Sequence, residues 1–252
     1  DNIEIKAWSK QDGYLPQEKL SGAEGSASHI HEYGSNADDG FVPLPHWEIG
    51  KKLDIIDIEA GSKVSGSRFY YLKKEGQLLM YGMFDLMMKK LLDDGFMPMY
   101  VPILVKDRAL FGSSQFPADQ DQIYKIENAN IEDNNALYLI GSSEPSLFAY
   151  YQDTAIANAD FPVKIFATTT CFRSEAGSWG KDVRGIKRMH QFEKLEMDMI
   201  IPNDKEEALR MHEYLLSLNE WLLQLLEIPY HIINMCTGDL GYAAAAKKYD
   251  IE

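Results

Sequence analysis

Basic residues are scarce in this chain, and that shortage excludes more than any other feature of its composition. Only 25 Lys and Arg stand against 39 Asp and Glu in 252 residues, a formal net charge of −14. Phosphate contacts come from lysine and arginine, so a chain of this balance binds nucleic acid poorly unless a local basic patch or another module helps. Cysteine is scarcer still. Cys171 and Cys236 are too few for a disulfide framework and read as reduced, buried thiols. Neither forms a zinc pattern with the histidines. His29 and His31 lie in a Ser-, Gly- and Ala-rich stretch without a cysteine nearby, so no metal site is expected there. No apolar run reaches the ~18–20 residues of a membrane helix, and residues 1–20 mix charged and polar side chains, unlike a secretory leader. A cytoplasmic protein without a membrane partner is expected. A glycine-rich strand-to-helix loop is also missing, which disfavours a dinucleotide site.

What is present describes a globular protein. Hydrophobic residues make up 45% and aromatics 12% of the chain, enough for one large core or two modest ones. Residues 1–42 read as a short strand-like segment followed by a polar, small-residue loop, and residues 43–252 as the main body. Helices are expected over 46–53, over Gln77 to Asp94 with Gly95 as the C-terminal cap, from Pro145 through Tyr151, and over Asp204 to Leu226. In the second of these, Leu79, Met83, Leu86 and Met87 form a stripe that Leu78, Tyr81, Met88 and Leu91 broaden, so more than one face is expected to be covered. Strands are expected at 69–72, 97–102, 123–126, 136–140 and 230–236, and 111–122 as a surface loop. Hairpins outnumber crossovers, and this predicts an α+β fold with a mostly antiparallel sheet flanked by helices.

The densest chemistry lies between Phe172 and Glu196. The sequence there is FRSEAGSWGKDVRGIKRMHQFEKLE, which reads as a strand, a glycine-rich loop and a returning strand. Alternation places Arg173 and Glu175 on one face, and His190, Phe192, Lys194 and Glu196 on one face of the second strand. If the hairpin closes, it offers a cation for phosphate, a ring for a flat base, and carboxylates for an amine or hydroxyl. A solvated hairpin would show the same charge alternation, but it has no use for a phenylalanine between charged neighbours.

Phe172 to Gly177, Gly180-Lys181-Asp182, Arg184-Gly185, and His190-Gln191-Phe192 with Lys194 and Glu196 together resemble the second signature motif of class II aminoacyl-tRNA synthetases, specifically of seryl-tRNA synthetases. Gly95 to Pro102 after the long helix is similar to the first motif, which builds the homodimer interface in that family, with Gly95 and Pro102 at it. Ser142-Ser143-Glu144 stands where the family has Thr-x-Glu, so the first position keeps the hydroxyl but loses the methyl group.

The resemblance covers nearly all of residues 43–252. It implies a catalytic segment of a longer enzyme that lacks the N-terminal tRNA-binding arm and the third motif. It also implies activation of L-serine with ATP to seryl-adenylate and transfer to tRNA(Ser). Arg173 would bridge substrate carboxylate and α-phosphate. Ser174, Glu175, Met189, His190, Gln191 and Phe192 would complete the ATP site, with Phe192 under the adenine. Ser142, Ser143 and Glu144 would hold the serine ammonium, and Glu196 its hydroxyl. Magnesium would accompany ATP, with most of its ligands outside this segment. Two alternatives stand beside this reading. One is a relative that adenylates without tRNA or charges a carrier protein, a group that generally uses zinc. The other is a non-catalytic dimerisation or binding module.

Overall fold

The computed structural model describes residues 2–10, 13–14, 43–118, 120–127, 136–176, 184–241 and 245–252. The expected loop over 15–42, the polar connection at 128–135 and the Gly177–Asp182 part of the hairpin turn lie outside the described residues. The contacts divide the chain into two units, residues 44–208 and residues 1–43 together with 209–252.

In chain order, the elements begin with strands β1 (Ile3–Ser9) and β2 (Gly13–Tyr14), then helix α1 (His46–Lys52) and strand β3 (Ile56–Asp57). Next come α2 (Ile58–Ser65), β4 (Tyr71–Leu72), α3 (Glu75–Asp93), β5 (Met97–Pro98), β6 (Leu104–Lys106) and α4 (Asp107–Gly112). Strands β7 (Lys125–Ile126) and β8 (Leu137–Leu139) lead to α5 (Glu144–Tyr150). Then follow β9 (Val163–Phe172), β10 (Gln191–Ile200), α6 (Lys205–Leu225), β11 (Tyr230–Asn234) and β12 (Tyr249–Ile251). This is the expected α+β fold, and among the described strand pairings only β5 with β9 is parallel.

In the 44–208 unit, β9 and β10 pair antiparallel over ten residues each, from Gln191 opposite Phe172 to Ile200 opposite Val163. β5 adds to the other edge of β9. Two small cores hold this frame. Val101, Leu147, Ile165 and Ala167 pack together in one, and Val105, Leu110, Phe116 and Ile140 in the other.

Helix α3 ends as its sequence dictates. Gly95 has φ +80°, its N–H donates to the Leu92 carbonyl, and the Phe96 N–H donates to the Leu91 carbonyl. Buried Leu91 and Phe96 complete this Schellman cap. The broad apolar stripe on α3 is only half covered: Met87 and Leu91 are buried, while Leu78, Leu79 and Tyr81 stand about 60% or more exposed. Two helices were not expected. α2 starts at Asp57, whose side chain accepts from the Ala60 N–H at 2.9 Å, an N-cap hidden in a segment too short to show a period. α4 takes up the first two residues of the expected 111–122 loop.

In the other unit, β12-β11-β1-β2 form one sheet, so residues from both ends of the chain share it. Leu216 of α6 packs with Tyr230 and Ile232 of β11. Among the described residues no helix is long and apolar enough to cross a membrane.

Candidate active site

The β9–β10 register decides which side chains share a face. Phe192, Lys194, Glu196 and Asp198 lie opposite Cys171, Thr169, Ala167 and Ile165 respectively, and directly opposed residues point the same way. The expected alternation therefore continues one step further, to an acid that sequence reading passed over.

Glu196 is the hub. Ser142 Oγ lies 2.6 Å from each of its carboxylate oxygens, and Ser143 Oγ lies 2.7 Å from Oε2. The backbone N–H of Glu144 donates to Oε2 at 3.0 Å, and Lys194 Nζ donates to Oε1 at 3.0 Å and to Ser142 Oγ at 2.6 Å. The first turn of α5 is thus capped by a carboxylate from 52 residues downstream, where unsatisfied N–H groups favour an anion. Pro145 suits the N-terminal turn because it has no N–H to leave unpaired.

The electrostatics follow from this packing. Burial alone would raise the Glu196 carboxyl, but the Lys194 ammonium and the two serine hydroxyls outweigh it and hold it below the usual range. Glu144 is pushed up by burial and by Glu196. Asp198 is pushed up to about 8 by burial, Glu196 and Glu144, against the opposing Lys194. Its Oδ2 is buried without a hydrogen-bond partner among the described residues. Burial also raises the Cys171 thiol, an inert state for a cysteine.

Arg173 stands at the mouth of this cluster. Its Nε donates to the Gly141 carbonyl at 3.2 Å, and its guanidinium carbon lies over the Phe192 ring. Glu175 does not share a strand face with it as expected. β9 ends at Phe172, and Glu175 takes a left-handed φ of +54°, which turns its carboxylate to Arg188 and to Arg68 at 3.8 Å. Ser174 is tied to the 120–122 turn, with its N–H on the Gln122 carbonyl and its hydroxyl on the Asp121 carbonyl.

His190 closes the hairpin. Its Nδ1 lies 2.9 Å from both Tyr124 Oη and the Arg173 carbonyl, and its ring packs on Phe69. Gln191 faces the other side of the sheet, in a cavity of about 360 Å³ with Tyr70 and Gln77. Behind the turn, the Ile186 N–H donates to His46 Nε2 at 2.8 Å.

Two adjoining cavities meet at the same three residues. One, of about 340 Å³, is lined by Gly141, Ser142, Arg173, Glu175 and Arg188. The other, of about 370 Å³, is lined by Arg173, Glu175, Arg188, Met189 and Phe192. Two guanidiniums and a carboxylate therefore separate a lobe leading to Ser142 from a lobe floored by an aromatic ring. Sequence reading found Arg173, Glu175 and Phe192 but gave no part to Arg188, Arg68, Tyr124 or Asp198. Of these, Arg188 and Asp198 had a legible signal, the alternation continued one step to either side of His190–Glu196.

This fold and site define a class II synthetase core. The family of tRNA synthetase class II core domains (G, H, P, S and T) matches residues 124–252, and the chain belongs to that family. Within it, serine–tRNA ligases are among the proteins similar to this chain. The serine–tRNA ligase of Corynebacterium diphtheriae is 40% identical over 240 residues, covering 95% of this chain and 55% of that protein. That of a Sulfurihydrogenibium species is 42% identical over 239 residues, covering 94% and 55%. The crystal structure of seryl-tRNA synthetase from Pyrococcus horikoshii complexed with ATP superposes with a TM-score of 0.81 at 34% identity, over all of this chain and 53% of that one. The chain spans about 55% of the length of the curated relatives it matches.

Proposed function

We propose that the protein to which this chain belongs is a seryl-tRNA synthetase, which activates L-serine with ATP and transfers it to tRNA(Ser). The observation that carries this reading is the shared Arg173–Glu175–Arg188 wall between the Ser142 lobe and the Phe192 lobe. Activation needs a carboxylate to attack the α-phosphorus of ATP in line, with pyrophosphate leaving. Two anions must be brought together, so positioning and charge neutralisation do most of the work. Arg173 sits where a guanidinium reaches both partners, Phe192 and Met189 offer the base an apolar seat, and Arg188 adds a second cation on the phosphate path. Serine lies in the other lobe, its ammonium and hydroxyl directed to Ser142, Ser143, Glu144 and Glu196. Magnesium would accompany ATP and neutralise its phosphates, with most of its ligands outside this segment.

Two partners complete the reading. Leu78, Leu79 and Tyr81 near the start of α3, Leu92 near its end, and Met97 and fully exposed Tyr100 beyond it are exposed apolar side chains that a second copy of the chain would cover. Gly95 and Pro102, in the same segment as Met97 and Tyr100, are exposed as well. The acidic net charge favours tRNA contacts made mainly by parts of the protein beyond this chain. A synthetase relative that adenylates without tRNA is the second reading, and the acidic net charge would suit it. Serine-dependent ATP–pyrophosphate exchange by the full-length protein tests the proposal. Exchange should depend on serine and fall about 10²–10³-fold in Arg173→Ala, the usual loss when one preorganised electrostatic contact is removed. Absent exchange, or exchange indifferent to Arg173, would reject it.

A further inference from the structure

The serine site as folded is already full. A carboxylate has about four acceptor positions, and four donors surround Glu196. Lys194 and Ser142 lie against Oε1, and Ser143 and the Glu144 N–H against Oε2. A serine hydroxyl or ammonium reaches Glu196 only if one of these leaves. Three cannot leave cheaply. Ser142 and Ser143 are buried, and the Glu144 N–H belongs to the backbone of the first turn of α5. Lys194 is different: its ammonium sits on a four-carbon stem, its side chain is about one-third exposed, and its other contact is Ser142 Oγ at 2.6 Å.

We infer that Lys194 is an internal stand-in for the substrate ammonium, holding its place on Glu196 and Ser142 and swinging out when serine enters. The inference rests on the serine-activation reading and deepens it. The charge count supports an exchange rather than an addition. Glu144, Glu196 and Asp198 share one cation, Lys194. An incoming ammonium that replaces Lys194 keeps the same number of charges around these carboxyls. An incoming ligand without an amine does not, because displacing Lys194 would leave the Glu196 carboxylate short of a counter-ion in a buried site. Lys194 thus competes with the ammonium of an incoming ligand: it lowers affinity for an amine-bearing ligand and, by keeping Glu196 paired when no amine arrives, narrows the difference between ligands with and without one.

The test is a two-by-two comparison on the full-length protein at pH 7. The proteins are wild type and Lys194→Met. The ligands are seryl-sulfamoyl-adenosine and its 3-hydroxypropionyl counterpart, which lacks the amine. Calorimetry gives the Kd of the deamino ligand divided by that of the amino ligand in each protein. With Lys194 gone the ligand ammonium has no competitor and becomes the only counter-ion, so the ratio should rise at least about fivefold in Lys194→Met, the low end of usual coupling. An unchanged or smaller ratio would mean that Lys194 stays beside the ligand and would overturn the inference. Failure of wild type to bind either ligand would instead reject the serine reading itself. Should Lys194→Met not fold, the ¹⁵Nζ resonance of Lys194 in wild type decides. It should broaden or shift with the amino ligand and stay with the deamino one, and persistence with both would overturn the inference.

Discussion

The guanidinium carbon of Arg173 lies 5.2 Å from the centre of the Phe192 ring, although the two residues lie on opposite arms of the hairpin. The cation rests on the plate to which the account assigns adenine, and a base stacked on that ring lies within reach of the same guanidinium. Phe192→Leu keeps an apolar side chain but removes the ring face. Base–aromatic stacking contributes about 1–3 kcal/mol, so ATP affinity of the full-length protein should fall roughly tenfold or more. Titration calorimetry with ATP checks this, and serine affinity should change little.

Gly185 is fixed by both conformation and space. Its φ is +85°, and a Cβ would sit 2.1 Å from His46 Nε2 and 3.0 Å from the Trp47 ring. Gly185→Ala should therefore cost about 2–3 kcal/mol, from the left-handed backbone and loss of the Ile186-to-His46 hydrogen bond. Urea unfolding should show it, and combining the change with His46→Ala should recover part of the loss.

Asp198 makes stability depend on pH in a definite direction. Its folded value of about 8 lies above the unfolded value of about 3.9, so the folded state holds a proton that the unfolded chain releases. Its contribution is full below about pH 4 and is lost as pH rises through about 8, a loss of up to about 5–6 kcal/mol. Asp198→Asn, a neutral isostere beside Glu196, Glu144 and Lys194, should match wild type at about pH 4 and exceed it increasingly toward pH 8. Denaturant unfolding across that range measures the difference.

Lys6 performs a comparable service in the sheet formed by the two chain ends. Its ammonium lies 2.7 Å from Glu220, whose side chain is 6% exposed and also accepts from Tyr230 Oη at 2.6 Å. Lys6→Met strands that buried carboxylate and should cost about 2–4 kcal/mol. Glu220→Gln with Lys6→Met should cost less than Lys6→Met alone, since no charge is then left unpaired.

Much of this site was legible because strand alternation encodes which side chains share a face. Phe192, Lys194 and Glu196 align for that reason, and Pro145 and Gly95 mark helix ends by their backbone preferences. Alternation does not encode depth or partners. Nothing local to Asp198 announces that one of its oxygens is buried and unpaired, and nothing near Glu196 announces that Ser142 and Ser143, more than fifty residues earlier, will surround it. Glu175 departs from the expected face because β9 stops before it, a boundary set by turn geometry beyond the strand pattern. The exposed side of α3 follows the same limit: an apolar stripe shows that a surface wants covering, not whether the same chain covers it.

The most direct test of the account is thermal unfolding of the full-length protein with seryl-sulfamoyl-adenosine and its threonyl and alanyl counterparts. At about 100 times its Kd a ligand adds roughly 2.7 kcal/mol of stability. A serine-activating site should show that stabilisation with the seryl compound and little with the other two. Equal stabilisation by all three, or none by the seryl compound, would contradict it.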